Sequence, residues 1–67
     1  MKNFYSYFIK VSSLDPIQLT AAEWKKTLRQ YKSQHKETTT NMGDIEAHLF
    51  KIDGLTVMLL RHYYHAG

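Results

Sequence analysis

Two segments rich in apolar and β-branched residues make up most of the last third of the chain, residues 44–65. They flank Asp53-Gly54. A tight two-residue hairpin turn needs positive φ at both central residues, and Asp and Gly adopt it at low cost. The predicted register pairs Ile52 with Leu55, Phe50 with Val57, His48 with Leu59 and Glu46 with Arg61 on one face, and Lys51 with Thr56, Leu49 with Met58, Ala47 with Leu60 and Ile45 with His62 on the other.

Neither face of this predicted hairpin is polar. A hairpin with one face in water alternates apolar and polar residues, whereas this one keeps apolar side chains on both faces. Another part of the same chain must therefore pack on one face of the hairpin, and something outside this packing must cover the other face. We expect that cover to be a second copy, in a homodimer, or a larger protein.

The N-terminal segment 4–11 predicts another strand, because aromatic and β-branched residues fill a run of strand length. Alternation along a strand assigns its side chains to two faces. One face carries Tyr5, Tyr7, Ile9 and Val11, and the other carries Phe4, Ser6, Phe8 and Lys10.

Two helix starts compete after this strand. Asp15 could cap a helix with Pro16 at its first position, or Thr20 could form a capping box with Glu23. We favour Thr20 as the main start, preceded by a single helical turn around residues 16–18. The helix then carries an apolar stripe of Ala21, Trp24, Leu28, Tyr31 and His35, at steps of three and four residues.

Residues 37–43 show no helical period and end in Gly43, which predicts a linker loop. The predicted order is therefore β-α-β-β in one domain, residues 1–67. We expect an α+β fold in which one amphipathic helix packs on one face of a three-stranded antiparallel sheet. The other sheet face would remain uncovered and apolar.

The amino-acid composition argues against several classes of protein. The chain has no cysteine, so disulfides cannot support a domain of 67 residues. An apolar content of 43% argues against intrinsic disorder. No apolar run approaches the roughly 20 residues that span a membrane, and the N-terminus does not match a signal sequence. We therefore expect a cytoplasmic protein without membrane contact.

The positive charge is concentrated in the predicted helix. The net charge of the chain is +3. Residues 24–36 hold five cations and no acid, whereas the rest of the chain holds four cations and six acids. So dense a run of cations favours contact with an anionic surface, of nucleic acid or of protein. The five basic positions are Lys25, Lys26, Arg29, Lys32 and Lys36.

The four histidines do not form a recognisable metal or catalytic pattern. Zinc needs three or four converging ligands. His62 and His65 are three apart, which places them on opposite faces of a strand, and His48 faces Leu59 instead of either of them. No nucleophile, base and orienting group share a spacing that implies a triad. We therefore expect neither an enzyme nor a bound cofactor.

Two functions remain. The first is a protein-binding module, an inhibitor or regulator, that docks on a larger protein through an apolar and aromatic surface, with the basic helix as a secondary contact. The alternative is a small nucleic-acid-binding protein that uses the basic helix. The residues predicted to contact a protein partner are Tyr5, Tyr7, Leu49, Met58, Leu60, Tyr63 and Tyr64.

Overall fold

A single antiparallel sheet of five strands carries one helix in the computed structural model, which describes residues 2–66 and the side chains of residues 4–64. The order across the sheet is β2-β1-β5-β4-β3. The α+β class agrees with the prediction, but the three-stranded β-α-β-β arrangement is wrong. The elements are β1 (Lys2–Val11), β2 (Ile17–Leu19), α1 (Ala21–Gln34), β3 (Thr38–Met42), β4 (Ile45–Ile52) and β5 (Leu55–Ala66).

The predicted hairpin is confirmed in both its turn and its register. Asp53 and Gly54 have φ angles of 52° and 80°, as the two central residues of this turn require. Strands β4 and β5 pair from Ile52 opposite Leu55 to Ile45 opposite His62, so every predicted cross-strand pair forms. The dipeptide therefore fixes which side chains share a face.

Strand β5 lies at the centre of the sheet, because β1 pairs along its other edge. The β1–β5 pairing runs from Lys2 opposite Ala66 to Val11 opposite Val57. The first and last strands of the domain are thus direct neighbours.

The helix begins where the capping box predicts. Thr20 Oγ1 accepts a hydrogen bond of 3.1 Å from the Glu23 amide, and Glu23 Oε1 accepts one of 2.9 Å from the Thr20 amide. The helix ends at Gln34, and the amide of the capping residue His35 donates to the Tyr31 carbonyl at 2.8 Å. The prediction of Thr20 over Asp15 is confirmed.

The predicted helical turn around residues 16–18 is wrong. Ile17, Gln18 and Leu19 form the short strand β2, in which Ile17 pairs with Ile9 and Leu19 with Tyr7. Without β2, the backbone groups of β1 on this side would lack partners, and pairing them outweighs one isolated turn of helix.

The predicted linker over residues 37–43 is also wrong. Thr38–Met42 forms β3, which pairs with β4 and turns at Gly43, where φ is 61°. Threonine is β-branched and favours strands, which explains the extended geometry. All five residues of β3 are exposed, so no apolar alternation marked the strand.

The core lies between α1 and one face of the sheet, which we call the helix face. Trp24, Phe50 and Leu59 are 2%, 1% and 0% exposed. Ala21 is exposed, so the buried part of the helix stripe begins at Trp24. The partly buried residues around this cluster are Tyr7, Ile9, Leu19, Leu28, Tyr31 and Ile52.

Candidate functional site

The sheet face opposite α1, here called the open face, is the candidate interaction surface. Core packing places α1 against the helix face, and strand alternation places the other side chains on the far side. Among the described residues, the only helix lies on the helix face. The apolar residues of the open face are Phe4, Phe8, Met42, Ile45, Ala47, Leu49, Met58, Leu60 and Tyr64.

The apolar residues form a continuous band across the middle of the open face. Phe8 lies beside Leu60, and Leu60 beside Ala47. Ala47 is only 2% exposed, because a methyl group sits below its larger neighbours. A shallow groove of about 230 Å³ is lined by Phe8, Pro16, Ile45, Leu60 and His62. The band is therefore an apolar surface with a groove into which a complementary surface can fit.

The charges on the open face are at one end and of one sign. Lys10 lies beside Met58, and Lys51 lies beside Thr56 near the β4–β5 turn. No acidic side chain is present among the described residues of this face. The face therefore complements a surface with an apolar centre and an acidic margin.

The structure divides the predicted partner-binding residues between the two faces. Leu49, Met58, Leu60 and Tyr64 lie on the open face. Tyr5, Tyr7 and Tyr63 lie on the helix face, where the Tyr5 ring centre is 5.2 Å from that of Tyr63 and 6.2 Å from that of Tyr7. Alternation along β5 separates Tyr63 from Leu60 and Tyr64. The pairing of β1 with β5, which was not predicted, places Tyr5 and Tyr7 on the same face as Tyr63.

Four of the five predicted basic positions lie on α1, on the other side of the sheet from the open face. The fifth, Lys36, follows the helix and lines a cavity of about 540 Å³ together with Leu49 and Lys51 of the open face. Lys25, Lys26, Arg29, Lys32 and Lys36 are all exposed. Their distribution leaves Trp24, Leu28 and Tyr31 to face the sheet. A flat partner on the open face therefore cannot reach the four cations of α1 at the same time.

Beside the core lies a cluster of charged groups that the sequence analysis identified only in part. His48 is 7% exposed, and its Nδ1 is 2.5 Å from Glu37 Oε2 while its Nε2 is 2.5 Å from Glu46 Oε2. Arg61 Nη2 donates to Glu46 Oε1 at 2.6 Å, so this predicted cross-strand pair is also an ion pair. Because both imidazole nitrogens face carboxylate oxygens, a doubly protonated ring satisfies both contacts.

The electrostatics of the cluster hold Glu46 ionised. Burial alone would raise the pKa of Glu46, but hydrogen bonds from Arg61 and His48 and their charges outweigh burial and lower that pKa. The hydrogen bond to Glu46 likewise raises the pKa of Arg61, against the effect of its own burial. The pair therefore stays charged and connects β4 to β5 on the helix face.

Aromatic rings enclose this cluster. The Arg61 guanidinium carbon is 4.9 Å from the ring centre of Tyr5 and 5.6 Å from that of Trp24. His48 meets the Trp24 ring edge-on at 5.6 Å. Both His48 nitrogens are engaged, so neither is free to ligate a metal or to act as a general base. We interpret the cluster as part of the scaffold beneath α1.

The described residues contain neither a group of side chains suited to a metal ion nor a helix suited to a membrane. Within residues 4–64, no group of three or more His, Cys, Asp or Glu side chains could hold a metal ion. No helix in the described part of the chain is both long enough and apolar enough to cross a membrane.

Comparison with known proteins adds no relative. No family model, curated protein or solved structure matches the chain. The open face and the basic side of α1 are therefore the two surfaces from which a function can be inferred.

Proposed function

We propose that this protein is a non-enzymatic binding module, an inhibitor or regulator, that docks on a larger protein through the open face. The observation that supports this proposal is the apolar band across a sheet face that carries no helix. Contiguous apolar area on a small domain is typical of an interaction site, because its exposure to water is unfavourable.

The dimensions of the open face support a compact, reversible contact. Five strands at a spacing of about 4.8 Å span about 19 Å, and an eight-residue strand such as β4 is about 27 Å long. The projected area is then about 500 Å², below the roughly 800 Å² per partner of a standard stable interface. Such a contact suits a regulator that binds and leaves its target.

The charges of the open face support a partner with acidic groups around an apolar centre. Lys10 and Lys51 would meet those groups at one end of the contact, while Leu49, Met58 and Leu60 occupy its centre. Charge pairs at such a margin mainly raise the association rate and the specificity. Binding through this face should therefore weaken moderately as salt increases.

The alternative, nucleic-acid binding, is favoured by a separate observation, the five exposed cations of residues 24–36. Each phosphate that a cation neutralises releases counterions, so such binding depends steeply on salt. Because the four cations of α1 and the open face point in opposite directions, the same molecule could use one surface for a protein and the other for an anionic polymer. The two functions therefore need variants that alter one surface each.

Two apolar-to-acidic variants test the proposal. Leu49→Asp places a carboxylate within the apolar band of the open face. Leu55→Asp is the matched control, because Leu55 is 48% exposed and pairs with Ile52 on the helix face, away from the band. Circular dichroism and thermal melts establish that both variants fold.

The binding assay compares the proteins that each immobilised variant retains from nuclease-treated lysate. Proteins retained by the parent and by Leu55→Asp, but lost with Leu49→Asp, support docking through the open face. Equal retention by all three would contradict it. Tight, salt-sensitive binding of random-sequence DNA or RNA by the parent, unchanged in Leu49→Asp, would favour the alternative function.

A further inference from the structure

The cavity that Lys36 lines lies at the outer edge of β4, beyond the end of β3, and has a volume of about 540 Å³. Strand β3 begins at Thr38, opposite Leu49, whereas β4 continues to Ile52. Residues 34–36, at the end of α1 and just after it, also line the cavity. It therefore lies between the helix end and a part of β4 that β3 does not cover. Its volume is within the range of small-molecule sites.

Unpaired backbone groups of β4 face this cavity. The Tyr63 amide donates to the Asp44 carbonyl at 2.8 Å, so the even-numbered residues of β4 exchange hydrogen bonds with β5. The odd-numbered residues, including Lys51, therefore direct their amides and carbonyls toward the β3 side. Lys51 lies two residues beyond Leu49, where the pairing with β3 stops. Its amide is thus available as a hydrogen-bond donor at the cavity.

The charged side chains that line the cavity are basic. Lys36 and Lys51 are both exposed, and the ring of His35 lines the same space. In the described part of the chain, neither lysine forms an ion pair with an acidic side chain. Glu37, which follows Lys36 in the sequence, instead contacts His48. The cavity therefore carries positive charge that no described carboxylate neutralises.

The register of β3 and β4 shows that the two lysines are unfavourable partners for each other. Two residues beyond the pairing of Thr38 with Leu49, the same register would place Lys36 directly opposite Lys51. Like charges at opposite positions destabilise a ladder. The ladder ends at Thr38, and both lysines line the cavity beyond it. An anion in this cavity would offset the repulsion between the two ammonium groups.

We propose that the cavity binds a small organic anion, whose acidic group lies between Lys36 and Lys51 and whose apolar body lies against Leu49 and Phe50. The Lys51 amide and the Thr38 hydroxyl are further donors for the oxygens of the anion. Apolar walls with a few polar groups that fix the orientation are typical of small-molecule sites. This binding is additional to the proposed docking function, and it needs no protein partner.

Lys36 also has a structural role, which Lys51 lacks. Lys36 follows the C-terminus of α1, where a positive charge interacts favourably with the helix dipole. Lys51 lies on β4, away from either end of a helix. Replacing Lys36 therefore alters both the helix end and the cavity, whereas replacing Lys51 alters the charge of the cavity alone. A loss of anion binding in both variants thus reports on the cavity.

Anilinonaphthalene sulfonate is a suitable probe, because it joins an aromatic body to a sulfonate and fluoresces when it binds apolar surface. The neutral compound phenylnaphthylamine has the same aromatic body without the sulfonate. In fluorescence titrations of the full chain, we expect one saturable site for the sulfonate and much weaker binding of the neutral compound. The affinity for the sulfonate should fall as salt increases, because salt screens the exposed lysines.

Charge reversal identifies the residues that bind the sulfonate. Lys36→Glu and Lys51→Glu should each weaken binding about tenfold, because an attraction is replaced by a repulsion of similar size. Lys26→Glu is the matched control, since it changes the net charge equally but lies exposed on α1, outside the cavity. It should bind the probe as the parent does. Thermal melts followed by circular dichroism establish that all three variants fold.

Amide chemical shifts measured by NMR locate the bound probe. We expect the largest changes at residues 34–38 and 49–51. Changes centred on Phe8 and Leu60 would place the probe on the apolar band of the open face and overturn the proposal. Equal losses in all three variants, equal affinity for the neutral compound, or no binding at millimolar probe would also overturn it. None of these results depends on whether a protein docks on the open face.

Discussion

Trp24 is the residue on which the contact between helix and sheet depends most. It is 2% exposed, and its ring centre lies 5.3 Å from that of Tyr7 and 5.6 Å from that of His48. Trp24→Ala should lower the free energy of unfolding by about 3–5 kcal/mol, because it leaves a large cavity in the core between α1 and the sheet. That loss is comparable to the whole stability of a small domain. Urea denaturation monitored by circular dichroism measures it.

Trp24→Phe is the matched control for this loss. The indole Nε1 is buried and has no hydrogen-bond acceptor. Phenylalanine keeps most of the apolar volume and removes the unpaired donor, whose burial is unfavourable by about 1–3 kcal/mol. The Phe variant should therefore be much closer to the parent than the Ala variant. Equal losses for both would show that the indole ring itself, and not apolar volume, is required.

Glu46 gives the fold a defined sensitivity to acid. Its pKa in the folded state is below the ordinary 4.5, so its contribution to stability is fully present above that pH. The contribution disappears as the pH falls through the lowered pKa. Glu46→Gln should be less stable than the parent at pH 7, and the two should converge in acid. Melting temperatures measured from pH 7 to pH 3 test this, and parallel curves would contradict it.

At this scale the sequence predicts best where a side chain acts on its own neighbourhood. Asp53-Gly54 and Thr20 with Glu23 are such cases, because the turn and the cap depend on nearby backbone alone. The His48 cluster is different, because Glu37 was assigned to a loop. The contacts among His48, Glu46 and Arg61 could have been predicted from the sequence. His48 and Glu46 are two residues apart on one strand and therefore share a face, and Arg61 lies opposite Glu46.

At the scale of the elements, the β4–β5 turn depends on backbone conformation and not on space. An added Cβ at Gly54 would meet nothing within 4 Å, but φ there is 80°. Gly54→Ala should therefore lower the free energy of unfolding by about 1–2 kcal/mol. Asp53→Asn should be nearly neutral, since Asn also tolerates positive φ. Thermal denaturation of both variants checks this, and a neutral Gly54→Ala would show that the turn can change its type.

Both strands that the sequence analysis missed lie at the edges of the sheet. In β3 all five residues are exposed, and in β2 two of three are. The apolar alternation that reveals a strand arises from burial on one face, so an exposed edge strand does not show it. The threonines of β3 and Ile17 were the remaining local signal, through their preference for extended backbone. The inner strands were predictable because their buried positions require apolar residues at regular spacing.

At the scale of the whole molecule, the separation of the two surfaces predicts that they can be altered independently. Reversing Lys25, Arg29 and Lys32 to Glu should leave the fold intact, since these residues are exposed and Lys32 has only one distant ionic contact, 3.9 Å from Glu37. We expect any binding of an anionic polymer to fall steeply, while docking through the open face changes little.

Random-sequence DNA, RNA and polyglutamate are suitable probes for the charge-reversed protein, with fluorescence anisotropy as the readout at two salt concentrations. Leu49→Asp is the complementary variant and should bind these probes as the parent does. A charge-reversed protein that keeps full affinity for them would show that the helix cations are not the contact. Loss of protein docking as well would show that the two surfaces act together.

The pairing of β1 with β5 has a consequence for how the chain folds. The central strand β5 is the last described strand and its neighbour β1 is the first, so paired residues are separated by most of the length of the domain. During synthesis β1 must wait for β5, so the early part of the chain has no stable sheet to join. Folding dominated by such non-local contacts is slow, on the order of milliseconds to seconds. Until β5 is present, the short strand β2 is the only described neighbour with which β1 can pair.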